Sequence, residues 1–358
     1  MKRILGVTGD LIKYAKDNHL RNYQIQCARD SLKAHKKPAQ ITNNERKEIC
    51  SLWSQAGFKG NTDWHKFYKT INGFDARYVP TDLYGAELIP RLNSERLINA
   101  WDDKSQYPRF FPNINKPYMH GCRIDGNFYD GDYNPITIQS LVEEVKNEQK
   151  IIVKPSGGLE GRGIEIWTNL SDTEKLKKKL LNFSDNYVIQ NVITQHRVLA
   201  LYNSSSVNPI RVYTLRLNNR IVYLHSTLRF GSPGAITDIH FENGKEIVNF
   251  VSVKDGLAGN VFYDINGISF PVSKLGIEKK IKIPNHNKVI EMAIQIHEGL
   301  QHFDFVGSDI TIDQEGNPVM IEYNVFWPGI TIPQICNGPL FGKYTDEALY
   351  QIMRSPRK

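Results

Sequence analysis

Residues 151–167 read IIVKPSGGLEGRGIEIW, and this stretch governs the interpretation of the whole chain. An apolar run ends in Lys154, and four of the next nine residues are glycine. Alternating apolar residues then return, which predicts a strand, a glycine-rich loop and a second strand. Lysine at a strand end projects from the core, and glycine lets backbone N–H groups approach a ligand closely. We therefore expect a loop that covers phosphate groups.

The order of the lysine and the glycines excludes the common phosphate loops. A Walker A loop has its lysine after the glycines, whereas Lys154 precedes them. The spacing Gly158-x-x-Gly161-x-Gly163 is not that of a dinucleotide-binding loop. A protein kinase would place the glycine loop before the lysine and would add HRD and DFG sequences, which the chain lacks. Taken alone, the stretch is also compatible with a glycine-rich hairpin that carries an exposed lysine.

A second motif, SDITIDQEGNPVMIEYN at 308–324, predicts a β-hairpin that turns at 314–317. This turn predicts three cross-strand pairs: Asp313 with Pro318, Thr311 with Met320, and Asp309 with Glu322. Strand alternation then places Asp309, Glu322 and Asn324 on one face. The other face should carry four apolar side chains: Ile310, Ile312, Ile321 and Tyr323.

The polar face of this hairpin is the predicted metal site. Two carboxylates directly opposite each other repel unless a cation lies between them. Carboxylates and an amide oxygen are ligands that Mg²⁺ accepts while it keeps waters and substrate phosphates. Asp309, Glu322 and Asn324 are therefore the predicted Mg²⁺ ligands, and a solvated hairpin face is the alternative.

Composition and charge limit the classes of protein and partner. The 358 residues, 40% hydrophobic and 23% charged, suit a globular protein of two or three domains. A net charge of +7 favours anionic partners such as a nucleotide, an acidic sugar or a membrane surface. Apart from KLKKKL at 175–180, on a predicted helix, the basic residues are spread along the chain. A nucleic-acid site would need more interleaved aromatics and a concentrated patch, so no nucleic-acid partner is expected. No apolar run approaches ~20 residues, and the N-terminal one breaks at Thr8-Gly9-Asp10. These features predict no transmembrane segment, no secretory signal and a cytoplasmic location.

Local patterns divide the chain into a helical beginning and an α/β remainder. Residues 1–100 are rich in helix formers, and short strands alternate with helices thereafter. Helical periodicity predicts three later helices: 136–149, 171–182 and 286–301. A capping box, Ser171-x-x-Glu174, should open the second of these helices. A further hairpin should turn at Asn218-Asn219.

Several motifs together resemble the ATP-grasp superfamily. A strand lysine before a glycine-rich loop, followed much later by Asp and Glu-x-Asn, is typical of it. AWDDKSQYPRFFPNINKP at 100–117 resembles the segment in which a lysine, here Lys104, reaches the ATP phosphates. YVIQNVI at 187–193 resembles the hinge whose backbone recognises adenine, with Gln190 at a position often held by an acid.

Other stretches resemble one branch of that superfamily, the sugar-transfer-associated ATP-grasp family of polysaccharide and capsule gene clusters. ARYVPTDLY at 76–84, PRLN at 90–93 and VNPIRVYTL at 207–215 carry this likeness, together with the helical N-terminus. NPIRVYTLRL places Arg211, and STLRFGSPGAITD places Arg229, much as in ligase members.

The resemblance implies a fold class and a domain order. The expected class is α+β or α/β, with an ATP-grasp fold in which two α+β subdomains grip ATP. A mostly helical N-terminal region with an irregular connector would span 1–100. The N-subdomain with the glycine-rich loop would span 101–195, and the C-subdomain with the metal and substrate site would span 196–358.

The resemblance also implies site residues, with ATP and Mg²⁺ as cofactors. Arg211, Arg229 and Lys154 would be catalytic, the arginines holding a carboxylate or the transferring phosphoryl group. Asp309, Glu322 and Asn324 would bind the metal. The residues that would bind the nucleotide are Lys104, Lys154, Ser156, Gly157, Gly158, Glu160, Gly161, Gly163, Gln190, Asn191 and Val192.

The implied reaction activates a carboxylate as an acyl phosphate, which an amine captures to give an amide, ADP and phosphate. The substrates would be a small-molecule or glycan carboxylate and amine, with the amide formed on a uronic acid or an amino sugar in capsular or exopolysaccharide biosynthesis. A lipid-linked acceptor would explain the net positive charge, because the protein would then associate peripherally with lipid-linked glycan machinery. Two alternatives stay open: a phosphotransferase to a hydroxyl acceptor, and a non-catalytic nucleotide-binding module of a polysaccharide assembly complex.

Some residues carry no single interpretation at this stage. Trp64, His65 and Tyr78 either shape a sugar site or serve aromatic packing. Phe326 stands where some ligases have a basic residue two positions after the metal-binding asparagine. Asp238 stands where several ligases have an asparagine or a glycine-rich turn. The residues on the acceptor side are therefore the least defined part of the prediction.

Overall fold

The computed structural model describes residues 2–158, 161–242 and 245–358, and it describes side chains from residue 15 onwards except that of residue 245. Within these ranges a helical N-terminal region precedes two antiparallel sheets. The helices of this first region are α1 Lys2–Lys33, α2 Asn43–Trp53, α3 Asp63–Asn72, α4 Thr81–Leu83, α5 Ile89–Leu92, α6 Ile98–Trp101 and α7 Tyr107–Phe110. A π-helical turn, Tyr84–Leu88, joins α4 to α5.

The first sheet has five strands in the order β2-β1-β5-β3-β4. Its strands are β1 Met119–Ile124, β2 Asn127–Asp130, β3 Lys150–Pro155, β4 Glu165–Thr168 and β5 Tyr187–Asn191. β3 and β4 pair antiparallel, which confirms that the glycine-rich stretch joins two strands. Helices α8 Ile138–Val145 and α9 Thr173–Phe183 pack on this sheet through a shared apolar core.

The predicted capping box of α9 is wrong by one residue. Asp172, and not Ser171, is the N-cap, and its carboxylate accepts a hydrogen bond from the backbone N–H of Lys175. The physical reason is that Asp and Ser are comparable N-cap residues. Two adjacent N-cap candidates therefore differ only in which side chain reaches a first-turn backbone N–H group that has no partner within the helix.

The second sheet has seven strands in the order β12-β11-β10-β7-β6-β13-β14. Its strands are β6 Ile210–Leu217, β7 Arg220–Phe230, β10 Asn249–Lys254, β11 Leu257–Tyr263, β12 Ser269–Pro271, β13 Phe305–Ile312 and β14 Pro318–Asn324. β8 His240–Glu242 and β9 Lys245–Ile247 form a separate two-stranded hairpin. The β6–β7 turn is at Asn218 and Asn219 as predicted, with φ of 46° and 64°. Such left-handed conformations are the ones that a two-residue hairpin turn requires.

Helices pack on both faces of the second sheet. They are α10 Arg197–Ala200, α11 His286–Glu298, α12 Thr331–Asn337 and α13 Thr345–Arg354. α11 shares an apolar core with Val212 on one face, and α13 shares another with Tyr213 on the opposite face. α11 confirms the helix predicted at 286–301, and its Val289, Ala293 and Ile296 belong to the main apolar core. No helix within the described ranges is long and apolar enough to cross a membrane.

The acidic hairpin has the predicted central pair but not the predicted turn. Asp309 pairs with Glu322, whereas Thr311 pairs with Val319, because a β-bulge interrupts the register next to Asp309. The turn is shorter by one residue, since the backbone N–H of Asp313 donates to the carbonyl of Asn317. The bulge compensates for the shorter turn and restores the Asp309–Glu322 pair.

The same bulge corrects the prediction for the apolar face of the hairpin. Ile310, Ile312 and Tyr323 lie in the main apolar core as predicted. Ile321 instead lines the cavity on the side of Glu322, and Met320 takes the core position. An extra residue on one strand shifts its alternation, which simple strand periodicity does not anticipate. The mixed helix and sheet content agrees with the predicted class, and the three domain boundaries remain predictions.

Candidate functional site

A cavity of about 1420 Å³ is lined by side chains from both sheets and from the N-terminal helices. The first sheet contributes Lys154, at the end of β3. The second sheet contributes Arg211 from β6, Arg229 from β7, and Asp309, Glu322 and Asn324 from the acidic hairpin. The strand lysine and the acidic hairpin, which are about 155 residues apart in the sequence, therefore face one space.

Two lysines approach the acidic hairpin from the first half of the chain. Lys104 Nζ lies 3.6 Å from Glu322 Oε2 and donates a hydrogen bond of 3.1 Å to the carbonyl oxygen of Gly158. Lys104 therefore connects the beginning of the glycine loop with the acidic hairpin. Lys154 is only 6% exposed. Burial lowers the pKa of Lys154 to about 8, and the charge of Glu322 partly offsets this effect.

Asp309 is held in place by two polar neighbours. Arg211 donates two hydrogen bonds to its carboxylate, of 2.7 Å from Nε and 2.5 Å from Nη2. Asn324 Nδ2 lies 3.3 Å from Asp309 Oδ2. Burial alone would raise the pKa of Asp309, but Arg211 holds it below its ordinary value. Asp309 is therefore a carboxylate at neutral pH.

This arrangement gives Arg211 a different contact from the predicted one. Its guanidinium group, predicted to hold a substrate carboxylate or a phosphoryl group, faces Asp309 with both Nε and Nη2. A bidentate pair of this kind fixes geometry as well as charge. In the structure, Arg211 orients Asp309, and its predicted catalytic role stays a prediction.

Arg229 is the second predicted arginine, and its environment differs. It is 2% exposed, and its Nε and Nη1 have no hydrogen-bond partner among the described residues. Its Nε lies 3.1 Å from Asp238 Oδ2, an ion-pair distance without hydrogen-bond alignment. Burial raises the pKa of Asp238, and Arg229 partly offsets this effect. Unpaired guanidinium donors at a cavity wall are available to a carboxylate or a phosphoryl group.

The predicted metal ligands fit a Mg²⁺ ion in their donor chemistry. Within the described ranges no group of three or more His, Cys, Asp or Glu residues could hold a metal ion, so any ligand set here has at most two carboxylates. Asp309 and Glu322 lie opposite each other and supply these two. Asn324 uses its Nδ2 toward Asp309 and the carbonyl of Gly307, which leaves its Oδ1 as the remaining donor. Mg²⁺ commonly uses few protein oxygens and completes its shell with water and phosphate.

The glycine loop begins with a buried residue and then becomes exposed. Ser156 is 3% exposed, and its carbonyl accepts a hydrogen bond of 2.9 Å from the backbone N–H of Lys104. A Cβ at Gly157 would meet nothing within 4 Å, and Gly158 has a φ of 155°. Glu160, also predicted to bind the nucleotide, lies outside the described residues.

The second half of the loop contacts the part of the chain that follows β7. Gly161 lines the cavity with a φ of 69°, and a Cβ there would lie 3.3 Å from the side chain of Thr237. Arg162 lies over the ring of Phe241, 4.7 Å from its centroid. Gly163 has a φ of 73°. Loop and β8 therefore touch across the cavity mouth, with glycine where a side chain would be strained or crowded.

The three predicted hinge residues do not share one position. Asn191 and Val192 line the cavity. Gln190 is 7% exposed and pairs with Met119 and Ile152 inside the first sheet, and it is not among the residues that line the cavity. Its nucleotide-binding role stays a prediction.

The sequence matches a known protein family. The family described as "Sugar-transfer associated ATP-grasp" matches residues 84–346, which is most of the chain. The chain belongs to this family. The predicted ATP-grasp fold and the predicted family are thereby confirmed. A search of curated proteins found no match.

Solved structures of ATP-grasp ligases resemble this ATP-grasp chain only distantly. ATP-grasp ligase PsnB, complexed with a minimal precursor, is 13% identical over 73% of this chain and 64% of its own, with a TM-score of 0.43. L-amino acid ligase from Bacillus licheniformis is 11% identical over 72% and 49%, with a TM-score of 0.39. D-alanine–D-alanine ligase from Bacillus anthracis is 12% identical over 71% and 66%, with a TM-score of 0.40. This ATP-grasp chain thus spans about half to two thirds of the length of these proteins.

Sequence reasoning missed part of this ATP-grasp site. Asp102 lines the cavity, and burial raises its pKa to about 6, with Lys104 opposing the shift. The sequence did contain an indication of Asp102, because this residue stands two positions before Lys104, the lysine predicted to reach the ATP phosphates. The hydrogen bond of 2.6 Å between His120 Nε2 and Asn191 Oδ1 had no sequence signal, because it joins two strands through the fold.

Proposed function

We propose that the chain is an ATP-dependent carboxylate–amine ligase that works through an acyl phosphate. The amide would be formed on a sugar, a uronic acid or an amino sugar, in capsular or exopolysaccharide biosynthesis. One observation carries the proposal: Lys154 and the Asp309–Glu322 hairpin face the same cavity. Cations for phosphate oxygens and acidic ligands for Mg²⁺ are the two requirements of phosphoryl transfer.

The nucleotide would lie between the two sheets. Ile152 from β3 and Ile321 from β14 line the cavity from opposite sheets and offer apolar surfaces to a flat base. The backbone of Asn191 and Val192 would contact its polar edge. Lys104 and Lys154 would neutralise phosphate charge, and the backbone N–H groups of the glycine loop would cover the terminal phosphates.

Asp309, Glu322 and Asn324 would hold Mg²⁺. Bound there, the ion would balance the charge of the phosphate oxygens during transfer. Arg211 prepares this site, because its bidentate contact keeps Asp309 ionised and oriented. A carboxylate that is already deprotonated and fixed loses little conformational freedom when a cation binds.

Arg229 and Asp238 would serve the bond-forming step. The unpaired donors of Arg229 would bind the substrate carboxylate as its oxygen attacks the γ-phosphorus and ADP leaves. The amine would then attack the acyl carbon, with phosphate as the leaving group. Asp238, whose pKa is raised by burial, would take the proton that the amine releases.

We also propose a cytoplasmic location for the protein. Its net charge of +7 would favour peripheral association with lipid-linked glycan machinery.

The test is ADP release with hydroxylamine as a trap. The protein, ATP and Mg²⁺ are screened against uronic acids in pair with amino acids, and against amino sugars in pair with carboxylic acids. An acyl phosphate gives a hydroxamate, which mass spectrometry detects. If the only product is a phosphorylated hydroxyl compound, the protein is a phosphotransferase and not a ligase. Nucleotide binding without turnover on any pair would favour the non-catalytic module.

A further inference from the structure

One face of the N-terminal helix α1 lines the cavity. The lining residues recur at helical spacing and form what we name the α1 stripe: Leu20, Gln24, Cys27 and Ser31 of α1, with Ala34 in the turn directly after it. Spacings of three and four residues place side chains on a single face of a helix. The face beside it is buried through Ala28 and Leu32, which pack with α3. The α1 stripe combines three apolar side chains with the polar Gln24 and Ser31, and a mainly apolar wall with a few polar groups is typical of a ligand site.

Aromatic and polar residues complete this end of the cavity. Trp64 of α3 lines it while only 3% exposed, and its ring stacks on Tyr68 with centroids 5.9 Å apart. The indole Nε1–H of Trp64 has no hydrogen-bond partner among the described residues. Asn266 also lines this end, and its carbonyl contacts the His35 ring at 2.8 Å, which ties the end of α1 to the turn after β11. A rigid aromatic wall with nearby amide groups is suited to a hydroxylated ring.

Among the described residues, the cations that line the cavity are confined to three strands, where Arg211 lies beside Asp309 and Arg229 beside Asp238. The lining cations are Lys150, Lys154, Arg211 and Arg229, all on β3, β6 or β7. The part of the lining next to α1, the α1 end, has no lining cation among the described residues and two acidic ones: Asp30, which pairs with Lys33 at 2.6 Å, and Asp264. The two hydrogen bonds described for the Asp264 carboxylate are both accepted by Oδ1, from the backbone N–H groups of Asn266 and Ile268. An anionic group at this end would meet acidic neighbours, whereas a neutral or protonated group would not be repelled.

The volume leaves room for a second ligand beside a nucleotide. The cavity measures about 1420 Å³, whereas sites for one small molecule are commonly about 300–1,000 Å³. The α1 stripe also lies outside residues 84–346, the range matched by the family. This wall is therefore contributed by a part of the chain that the family match does not include.

We propose that the α1 end binds the body of the amine-bearing substrate, a hydroxylated, sugar-sized group that is neutral or protonated and not acidic. The inference rests on the proposed ligase function and narrows it, since the sugar then supplies the amine and the other substrate supplies the carboxylate. The carboxylate goes to the part of the cavity lined by Arg229, whose Nε and Nη1 have no hydrogen-bond partner among the described residues. The α1 stripe and Trp64 then determine which amine is accepted.

The test measures binding of two sugars of opposite charge to the full chain with MgADP present. D-Glucosamine is the cationic probe and D-glucuronate the anionic one, with dissociation constants from saturation-transfer NMR titrations. Ser31→Tyr places a bulky ring into the α1 end, and Asn22→Tyr places the same ring on the exposed side of α1. Glucosamine binding should weaken about tenfold or more in Ser31→Tyr, the effect of losing a few favourable contacts, and should be unchanged in Asn22→Tyr.

A second variant tests the charge of the α1 end. Asp264→Asn removes the carboxylate charge and keeps an oxygen for the turn bonds from Asn266 and Ile268. It should weaken glucosamine binding severalfold and leave the binding of neutral N-acetylglucosamine unchanged, because only the protonated amine senses the charge.

The outcomes separate this inference from the proposed function. Unchanged glucosamine binding in Ser31→Tyr would overturn the inference, and so would a larger loss for glucuronate than for glucosamine. MgADP affinity is measured on every variant and should stay at the wild-type value. A wild-type protein that fails to bind MgADP would count against the proposed function instead, and thermal unfolding confirms that each variant is folded.

Discussion

Lys154 is a charged side chain that is buried in the folded protein, and this burial costs stability. Its pKa falls from 10.5 to about 8, so the unfolded chain binds more protons than the folded one between these values. Wild-type stability should therefore rise with pH through this window, and the full cost should apply below pH 8. A group kept at such a cost is expected to serve binding or catalysis.

Replacing Lys154 with methionine should make the protein more stable and nearly inactive. The unfolding free energy at pH 7 should rise by on the order of 1–3 kcal/mol, because a buried ammonium group is removed. The gain should shrink toward pH 10. ADP release should fall about a hundredfold or more, since a preorganised cation at the phosphates is lost. Urea unfolding at pH 7 and 9.5 and an ADP assay measure the two effects.

Lys178→Met is the matched control, because Lys178 is exposed on α9. It should leave both activity and stability near the wild-type values at each pH. A Lys154→Met variant that is less stable than wild type at pH 7 would show that the lysine contributes packing or pairing that outweighs its desolvation.

Asp309 is the residue whose loss should affect metal dependence most directly. Asp309→Asn keeps the shape and removes one of the two carboxylates, so the Mg²⁺ concentration for half-maximal ADP release should rise about ten- to a hundredfold, the range seen for altered metal sites. A Mg²⁺ titration of ADP release measures it. Because the variant also leaves Arg211 without its partner, urea unfolding is recorded in parallel.

Asp313→Asn provides the comparison on the same hairpin. Asp313 accepts a hydrogen bond of 2.7 Å from the backbone N–H of Asn317 in the turn, and asparagine offers the same oxygen. Its Mg²⁺ dependence should match the wild type. Equal Mg²⁺ titrations for Asp309→Asn and the wild type would remove Asp309 from the metal site.

Hairpins were the elements most readily predicted from sequence, and their irregularities were not. Asn218-Asn219 fixed one turn, because few residue pairs tolerate two left-handed conformations. The Asp309–Glu322 pair was also correct, although the turn and the pairs beyond it were not. A bulge and a shorter turn changed the register by one residue each, and these changes cancel at the polar pair. The alternation of side chains along a strand predicts which face of the sheet each one occupies only between such interruptions.

The contact between the glycine loop and β8 should control how tightly the nucleotide is held. Arg162 over Phe241 is the contact between them, at 4.7 Å from the ring centroid. Phe241→Ala should raise the KM for ATP about two- to fivefold, the worth of an exposed cation–π contact of ~0.5–1 kcal/mol. Phe241→Tyr should restore the wild-type value, because the ring is kept. Initial-rate kinetics of ADP release over a range of ATP concentrations measure this effect.

Leu201→Ala serves as the control for surface loss, since Leu201 is 50% exposed and Phe241 is 40% exposed. Its KM for ATP should equal that of the wild type. If Phe241→Ala and Leu201→Ala behave alike, the loop is held by contacts other than the Arg162–Phe241 pair.

At the scale of the whole molecule, the N-terminal helices were predicted from the sequence, whereas their contact with the cavity was left open. Trp64 could not be assigned between a sugar site and aromatic packing, and the structure shows it both stacked on Tyr68 and lining the cavity. The helix α1 has weak amphipathic character, so the surface on which it packs could not be predicted from its hydrophobic periodicity. Which surfaces meet across more than 100 residues depends on tertiary packing that local patterns do not encode.

A buried ionic network joins α1 to the rest of the molecule. Arg21 donates a hydrogen bond of 2.8 Å to Glu87, and Arg357 donates bonds of 2.8 Å to Glu87 and to Asp17. Arg21 also lies 4.0 Å from Asp82, which is 2% exposed. Burial raises the pKa of Asp82 to about 6, and Arg21 partly opposes this shift. Docking of α1, and with it the α1 stripe, therefore depends on Arg21.

Arg21→Met should destabilise the protein in a manner that depends on pH. At pH 7 Asp82 is ionised, and removing its buried partner should cost about 3 kcal/mol. At pH 5, below the pKa of about 6, Asp82 is mostly protonated in the wild type already, so the loss should be smaller. Urea unfolding of both proteins at pH 5 and 7 measures the difference.

Arg29→Met tests whether any arginine on α1 would give this result. Arg29 pairs with Asp63 at 2.8 Å, but its side chain is 54% exposed. Exposed pairs contribute about 0–1 kcal/mol, so this variant should lose little stability at either pH. Equal losses for Arg21→Met and Arg29→Met, or a loss for Arg21→Met that is the same at pH 5 and 7, would show that Asp82 does not couple α1 to the core. The cavity wall formed by the α1 stripe would then be held without a contribution from the Arg21–Asp82 pair.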